Sequence, residues 1–164
     1  MTEYNATARQ YTRFEVTQGD TLIGSLTYGS WYQMSAGIEM AGGTSYRVEP
    51  KGFWGTTLEL KAGEAVLLKF RMNWKGEIVI QPGEGPEKGF LLKHRGFFKE
   101  SFVLLDPDEA ELLVLKPEIK WSRFSYEYRL TAADSFEALR DKDLLLLVSV
   151  HCANYYIWMM SAAG

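Results

Sequence analysis

The chain has 164 residues, is 46% hydrophobic and 24% charged, and carries a net charge of −3 at neutral pH. These values suit one globular domain, residues 1–164, large enough to bury a real core. They exclude a general nucleic-acid binder, which needs excess Lys and Arg to hold phosphates, and the lone cysteine, Cys152, excludes an intramolecular disulfide.

The first residues, Met1 to Phe14, are polar and lack the apolar core of a secretory signal. Together with the single thiol this points to a cytoplasmic protein in a reducing compartment. From residue 10 to residue 131 the chain alternates apolar with polar in short runs. Leu58 and Leu60 fall at period two, as do Val66, Leu68, Phe70, Met72 and Trp74, then Phe102 and Leu104, then Phe124, Tyr126, Tyr128 and Leu130. That is the period of a half-buried strand. Turn chemistry separates the runs at Gly19-Asp20, Gly42-Gly43, Ala62-Gly63, Lys75-Gly76, Pro82 to Pro86 and Asp106 to Asp108. The 14% aromatic content also favours pleated surfaces.

A repeat runs through this region. A small-residue turn, an apolar run and a tryptophan recur at Trp31, Trp74 and Trp121, spaced 43 and 47 residues apart. A second marker, Lys51-Gly52-Phe53-Trp54, returns 44 residues later as Arg95-Gly96-Phe97-Phe98. A unit of that length holds about four strands, so three units predict a mainly β, about twelve-stranded antiparallel barrel. Three units are too few for a propeller ring, and a closed barrel leaves no edges.

After the strands, Asp134 reads as an N-cap and Glu137 as its capping-box partner for a short helix over 134–140. From Leu144 to Gly164 there is no Asp, Glu, Lys or Arg. Apolar around most of its circumference, this run predicts a helix over 143–160, buried either in lipid or in the fold. Its apolar part, Leu144 to Met160, would be roughly 26 Å long, short of a ~30 Å hydrocarbon core. Ser149, His151 and Asn154 sit in its middle, where lipid would penalise them. A twelve-stranded barrel is too wide for its own side chains to fill. A helix running through the barrel, with no transmembrane span, answers both problems.

A barrel threaded by a hydrophobic C-terminal helix resembles the tubby C-terminal-like superfamily, which includes tubby domains, phospholipid scramblases and LURP-one-related proteins. The residues that carry the likeness are the Gly-aromatic starts (Gly52-Phe53-Trp54, Gly96-Phe97-Phe98) and the run Leu144 to Val148. The resemblance covers nearly the whole chain in architecture. It implies a binding or scaffolding module, often at membranes, without catalytic activity.

Candidate chemistry is sparse. His151, Cys152 and Asn154 have the residue types of a Cys-His-Asn nucleophile system, but adjacent helix residues point about 100° apart, so buried polar groups paired inside the barrel are expected instead. Lys93, Arg95 and Lys99, with His94 between the first two, form the candidate site for an anionic headgroup or phosphate. Basic residues also surround Trp121 (Lys116, Lys120, Arg123) and Trp74 (Lys69, Arg71, Lys75), a composition that fits membrane-interface contact or cation–π packing. No zinc-ligand spacing and no phosphate-cradling glycine motif occurs, and no cofactor is expected. The expected function is a non-enzymatic binding module for an anionic lipid or a protein partner. The alternatives are a lipid carrier or enzyme using the barrel lumen, or a tail-anchored membrane protein.

Overall fold

The computed structural model describes residues 1–9, 12–29, 35–51, 57–85, 88–96, 100–120 and 125–163. Twelve strands form three successive groups of four. The first group is β1 (Thr2–Ala8), β2 (Arg13–Gln18), β3 (Thr21–Tyr28) and β4 (Ala36–Met40). The second is β5 (Ser45–Lys51), β6 (Thr57–Ala62), β7 (Ala65–Met72) and β8 (Ile78–Pro82). The third is β9 (Phe90–Arg95), β10 (Ser101–Leu105), β11 (Glu111–Lys120) and β12 (Ser125–Ala132). Each strand pairs antiparallel with the next, and β1 pairs with β12 to close the barrel. Two helices follow, α1 (Asp134–Glu137) and α2 (Lys142–Ala163).

The expected alternation sets the wall. Phe14, Val16, Leu58, Leu60, Phe70, Ile78, Ile80, Leu115 and Leu130 are buried, with less buried neighbours along each strand, whereas in β10 the whole run from Phe102 to Leu105 is buried. The three groups repeat in detail. In each, the hairpin between the second and third strands shifts register at the same place: between Val16 and Thr17, Leu60 and Lys61, Leu104 and Leu105. Each of these turns also contains one left-handed residue, Gly19 (φ 58°), Gly63 (φ 59°) and Glu109 (φ 65°). A side chain there costs roughly 1–2 kcal/mol. At Glu109 the Asp106 carboxylate offsets this by accepting the backbone N–H groups of Asp108 and Ala110, both at 2.9 Å. Two of the repeat tryptophans, Trp31 and Trp121, and the aromatics of Gly52-Phe53-Trp54 and Gly96-Phe97-Phe98 lie outside the described residues.

α2 fills the barrel. Leu146 to Val148, Ser149, Val150, His151 and Ala153 have no exposed surface, although they point in all directions around the helix. The wall makes room at Gly24, which takes the register place of Leu68 and Leu113 in the other two groups. A Cβ there would stand 3.0 Å from the Glu39 carbonyl oxygen and 3.3 Å from Leu147 Cδ2. Leu147 lies beside Gly24 early in β3, and His151 meets Tyr28 at its end. The helix therefore leaves the barrel where the odd-numbered strands finish. α2 is also long and apolar enough to cross a membrane by length and composition, and 61% of that span is buried inside the fold.

Three boundaries differ from expectation. The barrel begins at Thr2, not at residue 10. Tyr4, Ala6 and Ala8 alternate inward, but two of the three are alanines, too weakly apolar to stand out in a polar stretch. α1 stops at Glu137 instead of Arg140, and its N-cap is Ala133, extended at φ −72°, ψ 160°, with no side-chain cap. Asp134 already belongs to the first turn, 3.6 Å from the Met1 amino group, and Glu137 is taken by other partners. α2 extends past 143–160 at both ends, from Lys142 to Ala163.

Candidate functional site

Two polar clusters hold the helix in the barrel. At its start, Tyr4 donates its hydroxyl proton to Glu137 Oε1 at 2.7 Å. The Lys142 ammonium donates to Glu137 Oε2 at 2.7 Å and to Tyr4 Oη at 3.2 Å. This triangle ties β1, α1 and α2 together. Burial alone would raise the Glu137 carboxyl, but the hydrogen bonds from Lys142 and Tyr4 outweigh it and hold the acid below its usual range. The bonds that Lys142 donates, to Glu137 first and then to Tyr4, push the lysine up.

At the other end of the lumen the cluster is neutral. Tyr128 donates to Asn154 Oδ1 at 2.6 Å, Asn154 Nδ2 donates to Tyr28 Oη at 3.1 Å, and Tyr28 Oη lies 2.9 Å from His151 Nδ1. The Tyr28 oxygen thus accepts from Asn154 and shares a second hydrogen bond with His151 Nδ1, whose direction follows the histidine tautomer. Among the described residues, His151 Nε2 and Ser149 Oγ are buried without a hydrogen-bond partner. Burial pushes the His151 pKa down to about 4 and raises the Cys152 thiol and the Tyr28 hydroxyl above their ordinary values.

His151, Cys152 and Asn154 therefore form no nucleophile system. His151 bonds Tyr28, Asn154 bonds two tyrosines, and the Cys152 thiol is buried apart from both. Sequence reasoning expected internal partners for this trio, and for His151 and Asn154 these are Tyr28 and Tyr128. Tyr28 is 126 residues from Asn154, so only ring closure brings the pair together.

The basic candidates separate. Lys93 is paired with Glu77 at 3.3 Å, and Arg95 is paired with Glu111. Lys99 lies outside the described residues. His94 points the other way from its neighbours, into the barrel mouth, stacked on Tyr156 at 5.0 Å and edge-on to Phe102 at 5.3 Å. Trp74 stands in the turn joining β7 to β8 and is 91% exposed, with Lys75 Nζ 5.4 Å from its ring centroid. Of the group around Trp121, Lys116 is exposed, whereas Trp121, Arg123 and the Lys120 side chain lie outside the described residues.

On the outer wall an open hollow of about 550 Å³ lies between β6, β7 and β8, with Glu59, Glu64 and Glu84 around Leu67 and Lys69. Among the described residues, no three His, Cys, Asp or Glu side chains gather to hold a metal ion. No family model, no curated protein and no solved structure matches the chain.

Proposed function

We propose that this protein is a non-enzymatic binding module that works through its outer surface, with an anionic lipid surface as its ligand. The observation that carries this reading is the occupied lumen. The space that a carrier or a lumenal enzyme would use for substrate holds α2, whose residues from Leu145 to Tyr155 are buried. Tyr28, Tyr128, His151 and Asn154 bond one another across the helix and the wall, and burial has made the thiol and the imidazole poor acid–base catalysts near neutral pH. What remains available is the exterior, where cations and an exposed tryptophan accompany the end from which the helix leaves. A barrel filled by a C-terminal helix is also the architecture that the tubby-like resemblance implies, and that likeness favours a binding role.

Two measurements test the reading. Native mass spectrometry of the purified protein should give the mass of the chain alone; a co-purifying lipid released on unfolding would favour the carrier. Co-sedimentation should retain the protein on vesicles containing phosphatidylserine and leave it in solution with phosphatidylcholine alone. A protein that ignores both vesicles removes the anionic surface as its ligand.

A further inference from the structure

We infer that the barrel carries a threefold collar of cations around the end where α2 emerges, and that it docks this end on the headgroups of an anionic bilayer. The inference rests on the outer-surface reading above and deepens it. The collar follows from register. In the second group of strands Lys51 stands opposite Thr57, and Thr57 opposite Arg71. In the third, Arg95 stands opposite Ser101, and one step beyond the Phe102–Leu115 pair puts Ser101 beside Lys116. In the first, the Arg9 N–H bonds the Arg13 carbonyl at 2.8 Å, and Arg13 stands opposite Thr27. Each group thus presents two cations and one hydroxyl on a single rung. Phe14, Leu58 and Phe102, the next residues along the middle strands, are buried, so this rung faces outward.

All six cations of the collar are exposed, but they are not equally compensated. Arg9 and Arg13 share Glu15 at 3.4 and 3.9 Å, and Arg95 is paired with Glu111. Lys51, Arg71 and Lys116 make no ion pair among the described residues. The second group is therefore the free one. Lys51 and Arg71 stand two strands, or about 10 Å, apart, with the Thr57 hydroxyl between them. Two long cationic side chains at that spacing can converge on one phosphate or carboxylate group, with charge-assisted hydrogen bonds. Just past Arg71, the exposed Trp74 and Lys75 extend the same corner. An aromatic ring with cations beside it suits the headgroup layer, where one end of the ring is apolar and the other wet.

The opposite end has the opposite sign. The turns there carry Asp20, Glu64, Glu84, Asp106, Asp108 and Glu109, and Asp134, Asp141 and Asp143 follow β12. A chain of net charge −3 is thus polarised along the barrel axis. An anionic surface would attract one end and repel the other, which sets a docking orientation and selects a bilayer over a neutral partner.

The test uses the full chain and two triple variants of equal charge change. One is Lys51→Gln, Arg71→Gln, Lys75→Gln at the collar. The other is Lys61→Gln, Lys88→Gln, Arg140→Gln toward the acidic end. Binding to phosphatidylserine-rich vesicles is measured at low and moderate salt. Near an anionic surface each cation contributes about five-fold in affinity, so the collar variant should bind about 100-fold more weakly, while the control variant stays close to the parent. Trp74→Ala should weaken binding at both salt concentrations alike. If the parent sediments and both triple variants match it, the collar is wrong and the binding-module reading stands. If the parent ignores the vesicles, the docking collar and the anionic surface as ligand fall together. Tighter binding to duplex DNA than to vesicles would overturn the bilayer as the occupant.

Discussion

The two ends of the lumen solve the same problem with opposite chemistry. Where α2 enters, Tyr4, Glu137 and Lys142 form a charged triangle at the rim, and the side chains of Glu137 and Lys142 are 25% and 30% exposed. Partial contact with water lowers the cost of keeping those charges. Where the helix passes Tyr28 and Tyr128, the polar groups are almost wholly buried, and every one is neutral near pH 7. The comparison teaches that this barrel tolerates charge at its openings and excludes it from its interior. The helix is fixed in depth at one end by an ion pair and in rotation at the other by a chain of hydrogen bonds.

The most severe way to break this comparison is to remove the helix that joins the two ends, which leaves the triangle residues with no plug to anchor. Truncation after Asp143 deletes the plug, whose large apolar side chains contribute about 1.5–3 kcal/mol each against a typical net stability of about 5–15 kcal/mol. The truncated chain should show no cooperative thermal transition. A native-like circular dichroism spectrum with a sharp melt would show that the wall stands without its helix.

The next effect isolates the neutral end. The His151 pKa is about 4 in the fold and about 6.5 unfolded. Between these values the unfolded chain binds a proton that the folded chain refuses, so stability falls as pH falls from about 6.5 to about 4. The loss approaches about 3 kcal/mol. Denaturant midpoints measured across this window should slope downward toward acid, and His151→Gln should flatten the slope. Glu137, with its depressed pKa, contributes stability that is complete above the ordinary carboxyl value of 4.5 and is lost as pH falls from there through its folded value, so its slope begins at the acid edge of this window.

A steric probe sharpens the helix–wall contact between the two clusters. Gly24→Leu places on β3 the residue that the other two groups carry there, and it meets Leu147 and the Glu39 carbonyl. Overpacking of this kind costs about 1–3 kcal/mol. Adding Leu147→Ala should recover part of the loss, which a double-mutant cycle on urea midpoints would read. The charged end should respond least: Glu137→Gln weakens partly exposed bonds and should cost about 1 kcal/mol or less. Cys152 should react with thiol reagents only as fast as the barrel opens; rapid labelling of the folded protein would mean that solvent reaches the buried face of the helix.

Most of the wall was legible because its signals are local. Alternation at Leu58 to Leu60 and Val66 to Met72, and turns at Gly19 and Gly63, need only a few neighbouring residues. The plug was legible from the charge-free run beginning at Leu144. β1 was hidden because its inward residues include two alanines, and the supposed capping box failed because Glu137 found a better partner in a strand more than a hundred residues earlier. The collar was hidden for a different reason. Arg9, Lys51 and Arg95 recur at nearly the repeat spacing, but Arg71 and Lys116 join them only through cross-strand register, which no linear reading supplies.

Strand order also has a consequence for synthesis. The ring closes by pairing β1 with β12, Thr2 against Ala132, and the helix that fills it comes after β12 in the chain. Until that last strand and the helix emerge, a growing sheet of up to eleven strands has an open edge on β1 and an apolar concave face with nothing to cover it. Such sheets invite pairing with other chains. Closure and filling must therefore come together and late, through contacts that span almost the whole chain, so folding should be slow for a domain of this size. The nascent barrel is most exposed to aggregation just before β12 and α2 emerge.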